Sequence, residues 1–198
     1  MLSKFKKKFN KYLQFFTIIF AKLKISPNHL TFLSLLLSFI LFYTLINKYF
    51  IYSLVLISII SFLDALDGAL ARYLRIASIY GAYLDTIIDR YVEFIILFSF
   101  LFINFPVVFL EHYKWITLAI FGSLLTTYSK AAYSEKSGKQ LNFGFFERGE
   151  RMLLLILIIL SGIFSLTYMI YLIILFTILT NLSAIHRILL SLKLCISK

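Results

Sequence analysis

A chain of 198 residues that is 61% hydrophobic and 18% aromatic, with a mean hydropathy of +0.93, is too apolar for a soluble domain and too short for two membrane domains. The formal net charge of +11 points to anionic headgroups or phosphorylated substrates, and with no basic groove interleaved with aromatics a nucleic-acid partner is excluded. The single cysteine, Cys195, forms no internal disulfide and sets no redox compartment.

In residues 1–26, Lys4, Lys6, Lys7, Lys8, Lys11, Lys22 and Lys24 alternate with Phe5, Phe9, Leu13, Phe16, Ile19 and Phe20. This reads as a basic amphipathic helix lying in the membrane interface, with a plain positive-inside anchor as the alternative. No small-residue cleavage site follows it, so a signal peptide is not expected. Residues 27–198 read as one membrane domain of six transmembrane helices, giving an all-α integral membrane protein. Pro27 breaks the first helix, and Asn28-His29-Leu30-Thr31 opens a span running to residue 46, closed by a turn at Asn47-Lys48. The second span covers residues 50–68, a short loop 69–80, and the third span 81–104. A loop around Pro106 and His112 leads to a fourth span over 115–134, and a polar loop over 135–146 to a short fifth span from Glu147 to about residue 163. The sixth ends near residue 190. The fifth is shorter than the roughly 20 apolar residues a bilayer needs, so it starts among its own arginines.

With six spans both termini share a side. Of the 20 basic residues only Lys48, Lys114 and Arg90 fall elsewhere, so a multi-pass plasma-membrane protein with both termini and the polar residues of the second and third spans in the cytoplasm is expected. His29, His112 and His186 lack the spacing of a zinc site, and His112 reads as a surface loop residue.

Nine acidic residues are present, and four of them, Asp64, Asp67, Asp85 and Asp89, lie in segments otherwise apolar enough to enter a bilayer, where carboxylates are costly unless used. Asp64 and Asp67 are i, i+3 neighbours and Asp85 and Asp89 i, i+4 neighbours, so each pair projects from one helix face and the two can converge. Gly68 and Gly81 each stand one turn from a carboxylate, leaving the backbone bare where a flat or phosphorylated ligand would approach, and Arg72 follows Gly68 on the same stripe. Clustered carboxylates repel one another, and hard oxygen ligands suit Mg²⁺, Mn²⁺ or Ca²⁺; the pattern reads as a metal site beside a phosphate-binding arginine. An ion or proton pathway would spread its carboxylates across membrane depth instead of clustering them with glycines and an arginine. A prenyltransferase with two aspartate-rich motifs would lack the Gly and Ala-Arg spacing.

Asp64, Asp67, Gly68, Ala71, Arg72, Gly81, Asp85 and Asp89 fill every fixed position of D-x-x-D-G-x-x-A-R-x8-G-x-x-x-D-x-x-x-D, and on those residues the chain resembles the CDP-alcohol phosphotransferases. The resemblance implies a six-helix membrane enzyme, often a homodimer, that cleaves a CDP-linked lipid donor, passes its phosphoryl-lipid half to an alcohol and releases CMP. It implies two divalent cations, Mg²⁺ or Mn²⁺, on Asp64, Asp67 and Asp85, with Asp89, less committed to metal, as the base that takes the hydroxyl proton. Asp64, Asp67, Gly68, Ala71, Arg72, Gly81 and Asp85 would then form the CDP site. Asn28 and Thr31, in a Pro-Asn-x-x-Thr opening that the family often shares, would touch the nucleotide or cap the first span.

Beyond the signature, Thr127, Lys130, Arg148, Arg151 and Arg187 recur at span ends; they read as snorkelling anchors or as a ring of cations around an acceptor phosphate. Three local patterns resemble the branch that uses inositol 1-phosphate, the phosphatidylinositol-phosphate and archaetidylinositol-phosphate synthases. They are Asp89-Arg90-Tyr91 with Glu93, the Thr127-to-Ala131 run, and Glu147-Arg148-x-Glu150-Arg151. Glycerol 3-phosphate as acceptor, or CDP-inositol as donor in making di-inositol phosphate phosphate, are the alternatives within the family.

Overall fold

The computed structural model describes residues 13–139 and 144–196, and they are almost wholly helical. The helices are α1, Leu13–Lys22; α2, Pro27–Ile46; α3, Phe50–Tyr73; α4, Ile79–Phe100; α5, His112–Ser137; α6, Arg148–Gly162; and α7, Leu166–Ile196. Residues 1–12 of the expected amphipathic segment lie outside the described residues. Three helices, α2, α3 and α7, are long and apolar enough to cross a membrane.

Several boundaries differ from the sequence reading. Helix α3 does not stop at residue 68 but runs on to Tyr73, because Ala69-Leu70-Ala71-Arg72 are strong helix formers and Leu70 is fully buried. The expected loop over 69–80 shrinks to residues 74–78, so Ala71 and Arg72 are helical. Helix α4 spans Ile79–Phe100, not 81–104, and α5 begins at His112, which therefore opens a helix, its ring 5.9 Å from that of Phe105, and is not a loop residue. Pro27 is the first residue of α2, where its missing N–H has no helical partner to lose.

Helices α1, α2 and α3 end alike. After each, a basic residue takes the left-handed conformation, Lys24 at φ 56°, Lys48 at φ 60° and Arg75 at φ 56°, and the next residue's N–H returns to a carbonyl five positions back. For α3 these bonds are Ile76 N–H to the Ala71 carbonyl at 3.2 Å and Arg75 N–H to the Arg72 carbonyl at 3.3 Å. Glycine usually occupies this position; here a cation stands against the negative end of the helix dipole.

Large apolar side chains face outward as well as inward, unlike those of a soluble bundle. On α2 the buried stripe is Leu30, Thr31, Ser34, Ser38 and Leu41, while Phe32, Leu36, Phe39, Ile40 and Tyr43 are exposed. Buried hydroxyls of this helix donate back along it, Ser34 to the Thr31 carbonyl and Ser38 to the Leu35 carbonyl, both at 2.6 Å, so these two hydrogens are satisfied.

Two compact units can be described. One runs up to Tyr43 and again over Val55–Ile95. Its core is Leu30, Leu63, Leu66 and Leu70, against which Leu13, Phe20 and Ala21 of α1 pack, with Phe16 edge-on to Phe62 at 5.2 Å. The other takes Thr44–Leu54 and the chain from Ile96 onward. There α5 is bolted to α7 by side-chain bonds to backbone: Asn181 Nδ2 to the Leu118 carbonyl at 3.0 Å, Thr177 to the Trp115 carbonyl at 3.1 Å, and Thr126 to the Thr180 carbonyl at 3.2 Å.

Candidate functional site

In the first unit the packing of α2 on α3, and the five-residue link from α3 to α4, place the two aspartate pairs together. Oxygens of Asp64, Asp67 and Asp85 all lie within 4.8 Å of one another. Asp67 is deeply buried and Asp64 and Asp85 are half-buried. Three carboxylates this close repel strongly, and a hard divalent cation suits that donor set. Asp89 is not a member of the group; it is buried one turn further along α4. A proton pathway would string these groups out, whereas three of the four converge. The next carboxylate, Glu93, is wholly buried and held by Arg90 Nη1 at 3.0 Å.

Beside the carboxylates opens a cavity of about 280 Å³, at the lower edge of ligand-sized pockets. Asn28, Thr31, Asp67, Gly68, Ala71, Arg72, Gly81 and Asp85 line it, which is the whole sequence-derived nucleotide set except Asp64. Gly68 permits a close approach: a β-carbon there would stand 3.3 Å from Arg72 Nη1, so the guanidinium lies over the bare turn. At Gly81 a β-carbon would come within 3.2 Å of Ser78 Oγ and 3.3 Å of Asn28 Oδ1. Ser78 was not legible as a site residue. It precedes α4, its Oγ accepts the Gly81 N–H at 3.0 Å, and it lines the cavity with Ile76 and Ala77. Ser three residues before Gly81 is an N-cap pattern, the one signal that marks it.

Thr31 lines this cavity and also reaches a carboxylate. Its hydroxyl lies 2.7 Å from Asp67 Oδ2 and 3.2 Å from the Pro27 carbonyl.

In the second unit the sequence-derived cations divide. Arg151 and Arg187 are both buried; Arg187 Nη1 reaches the Thr126 carbonyl at 3.4 Å and Nη2 stands 3.9 Å from Glu147 Oε1. Arg187 Nε is buried with no hydrogen-bond partner, and a β-carbon on Gly144 would collide with this guanidinium. Ser183 holds that loop by donating to the Phe145 carbonyl. Lys130 is exposed on α5, Arg148 is half-buried at the start of α6, and Thr127 gives its hydroxyl to the Ser123 carbonyl at 3.4 Å. Of the two residues that touch Arg187, Glu147 belongs to the Glu-Arg-x-Glu-Arg pattern, whereas Thr126 is a neighbour the sequence did not single out.

The profile of the family described as CDP-alcohol phosphatidyltransferase matches residues 24–189. The chain is 32% identical over 160 residues to the archaetidylinositol phosphate synthase of Pyrococcus horikoshii, covering 79% of this chain and 81% of that protein. It is 34% identical over 148 residues to the bifunctional IPC transferase and DIPP synthase of Aquifex aeolicus, covering 70% of this chain but 33% of the relative, so it spans about a third of that longer protein. Among solved structures, the Mycobacterium tuberculosis phosphatidylinositol phosphate synthase with CDP-DAG bound superposes with a TM-score of 0.77 at 20% identity, over 89% of this chain and 92% of that one. The same enzyme in complex with manganese and citrate gives 0.77 at 21% identity, over 89% and 87%. At these identities the structural likeness speaks to the fold.

Proposed function

The chain belongs to the CDP-alcohol phosphatidyltransferase family, and on that footing we propose that it transfers the phosphatidyl or archaetidyl group of a CDP-linked lipid to a hydroxyl of inositol 1-phosphate, releasing CMP. The observation that carries the donor half is the convergence of Asp64, Asp67 and Asp85 within 4.8 Å beside a cavity lined by Arg72. The inositol half is supported by the similarity to the archaetidylinositol phosphate synthase.

The acceptor hydroxyl oxygen attacks the donor's β-phosphorus; the bond from that phosphorus to the bridging oxygen breaks, and CMP leaves with the bridging oxygen. Asp64, Asp67 and Asp85 would hold two divalent cations, Mg²⁺ or Mn²⁺, which neutralise pyrophosphate charge when bound. Arg72 meets a donor phosphate over Gly68, and Gly81, Ala71 and Asn28 shape the nucleotide's seat. Asp89 takes the hydroxyl proton. Arg151 and Arg187, with Arg148, Lys130 and Thr127, bind the acceptor's own phosphate; the unpartnered Arg187 Nε supports this, since a buried guanidinium donor without an acceptor is costly until an anion arrives.

The reading places residues 27–198 in one membrane domain, with α4, α5 and α6 crossing as well as α2, α3 and α7. It puts both termini and the site on the cytoplasmic face of the plasma membrane, and makes the protein a homodimer. A second reading, with CDP-inositol as donor, is favoured by the likeness to the bifunctional IPC transferase and DIPP synthase; glycerol 3-phosphate is the competing acceptor. The test is CMP release by purified protein with Mg²⁺ and a CDP-linked lipid: inositol 1-phosphate should support it and free inositol should not. Preference for glycerol 3-phosphate would retire the inositol assignment, and turnover of CDP-inositol in place of the lipid would favour the second reading.

A further inference from the structure

We infer that Thr31 is a positioning residue for the metal-binding carboxylate Asp67, and not a nucleotide contact; the inference rests on the proposed metal site. The hydroxyl has a single hydrogen and two acceptors in reach, Asp67 Oδ2 at 2.7 Å and the Pro27 carbonyl at 3.2 Å. The shorter contact has the length of a good O–H···O bond, and a carboxylate that ligates a metal is ionic, so with the metal bound the hydrogen goes to Asp67. Thr31 and Asp67 are 4% exposed each, which leaves this bond shielded from competing water.

The bond is also rigid at both ends. Thr31 is β-branched, with few χ1 choices on a helix, so its hydroxyl direction is set by the backbone of α2. That helix is fixed on α3 by Leu30 against Leu63, Leu66 and Leu70. A carboxylate with one oxygen held by a neutral donor cannot swing about its last torsion, and its other oxygen is presented in one direction. Asp67 lies within 4.8 Å of both Asp64 and Asp85, whose charges would otherwise push it away from the convergent arrangement. A neutral hydroxyl counters that push without adding a cation to compete with the metal. Partners of this kind change metal affinity by about 10- to 100-fold.

The test uses full-length protein in detergent, with Mn²⁺ titrated alone and followed by electron paramagnetic resonance. Thr31→Val keeps the shape and removes the hydroxyl; its Mn²⁺ Kd should rise about tenfold or more, while Thr31→Ser, which keeps a donor, should stay within about threefold of wild type. CMP affinity measured in EDTA should be the same for all three. An unchanged Mn²⁺ Kd in Thr31→Val overturns the inference, and so does a loss of CMP affinity in EDTA with Mn²⁺ binding intact, which would return Thr31 to the nucleotide. Should Thr31→Val not purify folded, Thr31→Ala is judged by the same two constants. Wild-type protein that binds no Mn²⁺ would overturn the metal site itself, and this inference with it, a result distinct from a wild type that binds and a variant that matches it.

Discussion

The guanidinium of Arg72 lies over the bare backbone of Gly68 one helical turn before it, with Nη1 3.3 Å from where a β-carbon would stand. A methyl group there competes for the space the arginine uses. Alanine is also the better helix former by about 0.5–1 kcal/mol. Gly68→Ala is therefore expected to unfold at an equal or higher temperature while its KM for the CDP-linked donor rises about tenfold. Thermal melts and steady-state CMP release on one preparation separate the two effects.

Asp64→Asn, Asp67→Asn and Asp85→Asn each remove one charge from the convergent group and keep its volume. Each should purify folded, bind no Mn²⁺ at concentrations that saturate wild type, and release no CMP; EDTA should silence wild type, with added Mg²⁺ or Mn²⁺ restoring it. Retained turnover in any of the three would dismiss that residue as a ligand.

Arg151→Ala and Arg148→Ala test the acceptor phosphate. A hydrogen bond to a charged group is worth about 1.5–3 kcal/mol, or roughly 10- to 150-fold. The KM for inositol 1-phosphate should rise by that order with donor KM nearly unchanged. Equal activity of wild type with free inositol would make these arginines membrane anchors.

A reporter fused after Lys198 should read cytoplasmic, because Lys48, Lys114 and Arg90 are the only basic residues that the six-span reading leaves off that side. An exterior signal would require an odd number of spans or the inverted orientation, and would overturn the six-span reading with cytoplasmic termini.

Lys48 follows α2 at φ 60°, a conformation that costs a residue with a β-carbon about 1–2 kcal/mol. Its charge at the helix end returns about 0.3–1 kcal/mol. Lys48→Gly should leave the protein equally or more stable, by up to about 1.7 kcal/mol; a clear loss would show that the lysine makes a contact beyond the dipole.

The aspartate spacing was enough to put each pair on one helix face and to allow the pairs to converge, because i, i+3 and i, i+4 neighbours share a face whatever the surroundings, but not to show that Asp89 stands outside the group. The extent of α3 was not legible, because a span length set by hydropathy stops where charge begins, whereas the backbone bonds of Ala71 and Arg72 continue regardless. The bond from Thr31 to Asp67 joins residues 36 apart and leaves no periodic trace. Arg187 was singled out as a cation at a helix end, but its partners Thr126 and Glu147 come from other elements, and an adjacent residue, Thr127, carried the local pattern instead. The helix stops at Lys24, Lys48 and Arg75 lack the glycine that ordinarily announces them.

Because α2 hides its small hydroxyl residues and shows its large rings, tolerance to mutation along it should run opposite to that of a water-soluble helix. Phe39 or Tyr43, facing outward, can drift among Leu, Ile and Phe with little effect, since oily character is all that side asks. Ser38, with no exposed surface and its hydroxyl bonded to the Leu35 carbonyl, sits where any larger residue has to displace its neighbours. Over evolutionary time the bulky positions of such a helix would vary and its serines would stay, so that the residues usually dismissed as polar filler would be the ones that record its ancestry.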